Sequence, residues 1–186
     1  SGSLIYDYTG NGNNFDVLGF NSNVLSEGYW QYKDCYRCPN ADPAEPFPAL
    51  LLDGSSYLRS VSTFNFNNSI TIGGFIRRTV LGMEEYLLSK AGAINLRMSS
   101  GNALVFETIG GSTISVTCSK LINDTDQHFW AARWNKSTET ISVMVDDTIT
   151  SAAGLAAIDT SLVKLYLFAR ASDQAAKFTG YAHSIF

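Results

Sequence analysis

The sequence predicts an all-β fold, an antiparallel β-sandwich, and three observations carry that expectation. Residues 127–147, QHFWAARWNKSTETISVMVDD, form an aromatic extended segment, a polar turn and a segment of strict period two, the signature of two strands joined by a hairpin. Twelve short segments of strand character follow one another with turn residues between them, the spacing of a sandwich. Almost nothing in the chain has a helical period.

The strands are read in order along the chain. Residues 4–6 are a short apolar start, and 49–52 end in Leu50-Leu51-Leu52, halted at once by Asp53. Residues 57–59 and 69–77 are rich in aromatic and β-branched side chains, which suit a pleated surface. Residues 86–89, 94–98, 103–109 and 113–118 make a meander, because Gly101-Asn102 and Gly110-Gly111 lie between alternating segments, where residues that tolerate positive φ close tight hairpins. Residues 129–134 and 140–145 are the hairpin already described, turned by 135–138. Residues 164–168 and 177–186 complete the set. Residues 151–160, SAAGLAAIDT, are read as a loop and as the one stretch with room for a helical turn, although Gly154 weakens it.

Composition bounds what the chain can do. With 186 residues and 45% hydrophobic content, it is expected to form one domain with a substantial core over 1–186. Charged residues are 16% and the net charge is -4, with no basic cluster larger than Arg77-Arg78, which leaves little from which to build a nucleic-acid surface. No apolar run reaches the roughly 20 residues of a membrane-spanning helix, so no membrane insertion is expected. A start at Ser1 is expected of a domain that belongs to a longer chain or assembly.

Residues 29–48 differ in kind. They hold all four prolines, two of the three cysteines, and Tyr29, Trp30, Tyr32 and Tyr36, and they are read as a long ordered loop insertion of the sort that carries function or contacts. The four rings are the candidate ligand-binding residues, since exposed aromatics stack on sugar faces beside convergent polar groups; the same rings also suit pinning the loop to the sandwich. Cys35 and Cys38 form a C-x-x-C that fits a local disulfide, two free thiols, a redox pair or half a zinc site. Cys118 shares the inward phase of Ile114 and Val116 and is expected as a buried thiol. Trp130 and Trp134, four apart on one strand face, are assigned to packing.

Three landmarks carry a family resemblance: the opening D-Y-T-G-N-G-N of 7–13, the D-G-S-S-Y-L of 53–58, and F-T-G at 178–180 after the tryptophan-bearing hairpin. In this order they resemble the concanavalin A-like lectin/glucanase superfamily, specifically its laminin G-like branch. The resemblance implies a jelly roll of two antiparallel sheets and a non-catalytic module that binds glycans or protein surfaces. Residues 164–170 with 178–180 are similar to stretches in laminin G-like domains of bacteriophage structural and tail proteins, which implies display on a virion surface or another extracellular assembly. A purely structural capsid or tail subunit, contacting its neighbours through 29–48, is the first alternative.

The resemblance also implies calcium, held by oxygen ligands of the opening loop. Asp7, Asn11 and Asn13 match that loop, while Gly180-Tyr181-Ala182 lacks the acidic residue relatives place after the glycine. Asp7 and Asn11 also suit bonding to the backbone of a turn. A glucanase is disfavoured, because a retaining mechanism needs two carboxylates roughly 5 to 5.5 Å apart, and the laminarinase-like branch supplies them on an E-x-D-x-x-E strand. The nearest candidates, Glu84-Glu85 and Asp146-Asp147, are adjacent in sequence; extended, they point to opposite faces and are expected as turn or surface charges. His128, in an aromatic strand, is expected at the core or its edge.

Overall fold

The computed structural model describes residues 3–5, 15–18, 50–63, 66 and 68–183. Among the described residues fourteen strands run in order: β1 (Ser3–Ile5), β2 (Phe15–Leu18), β3 (Leu50–Asp53), β4 (Tyr57–Ser60), β5 (Ile70–Arg78), β6 (Glu85–Lys90), β7 (Ile94–Met98), β8 (Ala103–Ile109), β9 (Thr113–Leu121), β10 (Gln127–Asn135), β11 (Thr140–Val145), β12 (Thr148–Ala153), β13 (Leu165–Leu167) and β14 (Thr179–His183). They form an eight-stranded sheet, β1-β2-β4-β13-β6-β7-β8-β9, and a six-stranded sheet, β12-β11-β10-β5-β14-β3. Every strand pairing is antiparallel. No described residue is helical.

Alternation decides which side chains go inside. Along β10 His128, Trp130, Ala132 and Trp134 are buried, and along β11 Ile141, Val143 and Val145. They meet Leu96, Met98, Leu104, Phe106, Val116 and Cys118 of the facing sheet in one hydrophobic core. Cys118 and both tryptophans therefore lie where their phase puts them. Trp134 Nε1 donates to Leu155 O at 2.8 Å, whereas Trp130 Nε1 is buried with no acceptor among the described residues.

The expectation for 151–160 is corrected: residues 151–153 belong to β12, and the rest holds no helical turn. β12 pairs with β11 across a two-residue turn in which Asp146 takes φ 51°. An Asp-Asp turn lacks the glycine that usually announces a hairpin, so the strand was not readable locally. β2 was also missed; it is short, and Asp16 interrupts its apolar run.

Glu85 corrects a second expectation. It lies inside the sandwich, 2% exposed, with Oε2 3.0 Å from Nε of the fully buried Arg78. Arg78 Nη1 donates to Asn102 Oδ1 and to Ile122 O, its Nη2 donates to Met83 O, and Glu85 Oε1 accepts from Thr179 N. A buried charge is tolerable only when paired and hydrogen-bonded in this way. Burial pushes the Glu85 carboxyl above its ordinary range, against the pull of Arg78.

Candidate functional site

One row of residues crosses the outer face of the eight-stranded sheet. Register places Asp16 of β2 opposite Arg59 of β4, Arg59 opposite Tyr166 of β13, Tyr166 opposite Ser89 of β6, Ser89 opposite Asn95 of β7, Asn95 opposite Glu107 of β8, and Glu107 opposite Ser115 of β9. Each residue is there because its strand neighbours face the core: Leu58 and Ser60 flank Arg59, Leu165 and Leu167 flank Tyr166, and Ile94 and Leu96 flank Asn95. A parallel row holds Tyr57 on β4, then Tyr86, Arg97, Val105 and Thr117 on β6 to β9.

The segment between β13 and β14 lies against β6 and divides this face in two. Ala171 N donates to Ser89 Oγ at 3.0 Å, Tyr86 N donates to Ala176 O, and the Arg170 guanidinium lies 5.8 Å from the Tyr86 ring centre. Phe168 at φ 67° turns the chain out of β13. Beyond it Phe178, fully buried, takes the chain back inside.

On one side of the segment the Tyr57 and Tyr166 rings stack with centroids 6.0 Å apart and planes at 26°. Lys177 Nζ lies 5.4 Å from the Tyr57 ring centre. Arg59 Nη2 donates to Asp16 Oδ2 at 2.9 Å, and that bond holds the guanidinium above its ordinary pKa. Among the described residues Arg59 Nε has no acceptor, and it is buried.

On the other side the polar groups interlock. Ser89 Oγ donates to Asn95 Oδ1 at 2.8 Å, Asn95 Nδ2 to Glu107 Oε2 at 3.1 Å, and Arg97 Nη2 and Nε to Glu107 Oε1 at 2.9 and 3.3 Å. Arg97 Nη1 reaches Glu84 Oε2 at 3.1 Å. Arg97 is 22% and Glu107 16% exposed, so the pair is reachable from solvent yet held rigidly. Burial opposes the charge on Arg97, but the Glu107 bonds outweigh it and raise its pKa. Glu84 is thus the surface charge expected of it, and also part of this network.

A second cluster sits where β9, β10 and the β11–β12 turn meet. His128 Nδ1 is 2.8 Å from Asp146 Oδ2 and its Nε2 is 2.8 Å from Asp124 Oδ1. Asp146 also accepts from Phe129 N and pairs with Lys120. His128 is buried at the edge of the core, as its sequence context predicts, but the two carboxylates that bracket it come from separate loops. Asp146 and Asp147 are turn charges, as expected.

The sequence-predicted ligand residues Tyr29, Trp30, Tyr32 and Tyr36, the calcium candidates Asp7, Asn11 and Asn13, and Cys35 and Cys38 lie outside the described residues. Among the described residues no three His, Cys, Asp or Glu side chains are placed to hold a metal. Sequence reasoning missed the row altogether; its only local signal was aromatic and charged residues at outward phase, Tyr57 and Arg59 in one strand and Asn95 and Arg97 in another.

No protein-family model matches the chain, and no curated protein matches it in sequence. Solved structures do match in fold. The CBM40 of the Ruminococcus gnavus IT-sialidase, bound to alpha2,3 sialyllactose, aligns at TM-score 0.55 and 11% identity over 74% of this chain and 86% of its own. Domains LG4-5 of the mouse laminin alpha1 chain align at 0.59 and 17%, over 74% of this chain and 40% of theirs. Domain 4 of AbnA, a GH43 extracellular arabinanase from Geobacillus stearothermophilus in complex with arabinotriose, aligns at 0.58 and 12%, over 74% and 68%. The fold is therefore an antiparallel jelly-roll sandwich similar to that of these structures.

Proposed function

We propose that this domain is a non-catalytic, lectin-like module that binds glycans on the outer face of its eight-stranded sheet. The observation that carries the reading is the stacked Tyr57–Tyr166 pair set on the same face as the Asn95–Arg97–Glu107 network. A rigid aromatic surface and a few pre-oriented donors and acceptors, here on either side of the segment between β13 and β14, are the composition of a small-molecule binding site, and hydroxyl-rich ligands need both. Two of the similar folds, by their names, hold an oligosaccharide, which supports the reading by analogy of fold only. Glu84 and Glu107 both bond to Arg97, which favours holding a ligand over general acid–base work.

The loop residues Tyr29, Trp30, Tyr32 and Tyr36 are proposed as a second contact for the same ligand, and Asp7, Asn11 and Asn13 as a calcium site. Extracellular display, on a virion such as a phage capsid or tail, belongs to the same proposal. One observation favours the structural-subunit alternative: among its polar groups the outer face of the six-stranded sheet presents apolar side chains, with Phe75 edge-on to Phe129 at 5.3 Å and Ile149 62% exposed, and exposed apolar patches often meet other proteins.

A glycan array probed with the domain, with and without added calcium, tests the reading. Binding to glycans supports it, and enhancement by calcium supports the metal site. Silence from a folded domain would move the assignment to the structural subunit.

A further inference from the structure

We infer that the glycan site selects uncharged sugars and rejects acidic ones. The inference rests on the glycan-binding reading above and concerns the same face.

Recognition of a sugar carboxylate or sulfate is strongest where a guanidinium fork is free to take it bidentately. Among the arginines described on this face, Arg97 and Arg170 already have their forks on carboxylates, and Arg59 gives Nη2 to Asp16 while its Nε is buried out of reach of solvent. Arg59 is on Asp16 at 2.9 Å, Arg97 is on Glu107 at 2.9 Å and Glu84 at 3.1 Å, and Arg170 is on Asp173 at 2.6 Å. An acidic ligand would have to break one of these pairs and leave its carboxylate beside the incoming anion. Glu107 and Asp16 are also only partly exposed, so water would screen that repulsion incompletely.

Lys177 has no carboxylate at ion-pair distance among the described residues and lies over the Tyr57 ring. A lone ammonium is a point charge without the planar fork of arginine, and there it faces the aromatic platform.

The paired groups suit hydroxyls instead. A hydroxyl both donates and accepts, and an arginine bonded to a glutamate beside an asparagine offers an acceptor oxygen and donor nitrogens within one side-chain network. Asn95 is locked in orientation, its Oδ1 taken by Ser89 and its Nδ2 by Glu107, so the network is set before a ligand arrives. Preorganisation of this kind lowers the entropic cost of binding. The fold-alike CBM40 is bound to a sialyllactose, an acidic sugar, so the fold alone does not set this preference.

The test compares neutral linear oligosaccharides of glucose, xylose and arabinose, together with lactose, against alpha2,3-sialyllactose and sulfated oligosaccharides, at about 0.05 and about 0.5 M NaCl. Binding of a neutral member, changed by less than about twofold by salt and lost in Tyr166→Ala and Asn95→Ala variants of unchanged melting temperature, is the expected result. Tighter binding of sialyllactose than of lactose, or of a sulfated member, with affinity falling as salt rises, overturns the inference while leaving the glycan reading in place. Binding of neither class overturns the glycan reading itself and the inference with it.

Discussion

Arg78 and Glu85 join the two sheets through the interior: Nε of an arginine on β5 lies 3.0 Å from Oε2 of a glutamate on β6, both out of contact with water. Removing one partner leaves the other charge buried and unpaired. Glu85→Ala is expected to cost about 3–5 kcal/mol, a fall of roughly 10 °C or more in Tm for a domain of this size. The double variant Arg78→Met, Glu85→Leu is expected to recover most of that loss. Thermal denaturation of the three proteins checks both statements; a double variant no better than the single one would show that the pair's other hydrogen bonds matter more than its charge.

His128 makes stability depend on pH. A neutral imidazole can donate from only one ring nitrogen, yet both face carboxylate oxygens at 2.8 Å, which is satisfied fully only by the imidazolium. Burial disfavours that charge, but the bonds to Asp146 and Asp124 outweigh it and raise the histidine pKa. The bond to His128 lowers the pKa of Asp124, and His128 with Lys120 lowers that of Asp146 although burial opposes it. The histidine therefore contributes stability that is complete below its unfolded value of about 6.5 and is lost as pH rises through the higher folded value. The aspartates contribute above about 3.9 and lose it as pH falls through their lower folded values. Tm is expected to decline on the alkaline side of neutrality in the wild type and to be flatter there in His128→Gln. An equal decline in both would assign the effect elsewhere.

The two core tryptophans are not equivalent. Trp134→Phe strands the Leu155 carbonyl, whereas Trp130→Phe removes an indole donor that has no acceptor among the described residues. Since an orphaned buried group costs about 1–3 kcal/mol, Trp134→Phe is expected to be the more destabilising by at least ~1 kcal/mol. Urea titration of the two variants decides it, and the opposite order would contradict the bonding described.

Gly180 brings β14 against β5. Its φ is +145°, and an added Cβ would stand 2.1 Å from Arg77 O. Gly180→Ala is expected to cost at least ~2 kcal/mol and to loosen the β5–β14 ladder, visible as faster amide exchange of Ala182. Unchanged exchange would show that the ladder tolerates the shift.

Strands whose period is unbroken were legible in the sequence: β9, with Val116 and Cys118 in phase, and the β10–β11 hairpin, where Asn135 Oδ1 caps the turn by accepting from Ser137 N and Oγ. β12 was not, because its turn is Asp146-Asp147 and its outer residues Ile149, Ser151 and Ala153 lack a polar rhythm. Glu85 read as a surface charge because its partner, Arg78, is brought to it only when β5 and β6 enter opposite sheets. The tyrosine pair was invisible for a related reason. Tyr57 and Tyr166 become neighbours because β13 inserts between β4 and β6, a long-range pairing that no local pattern encodes. The aromatic residues of 29–48 stood out by composition, and the quieter outward phase of Tyr57, Tyr166 and Asn95 did not.

The most direct test of the central claim compares Tyr166→Ala with Trp30→Ala in calorimetric titration against the tightest glycan found on the array. A loss of at least tenfold in Tyr166→Ala, about 1.4 kcal/mol, with an unchanged Tm is the predicted result and places the ligand on the eight-stranded sheet. Wild-type affinity in Tyr166→Ala, with binding lost only in Trp30→Ala, would contradict it and move the site to residues 29–48.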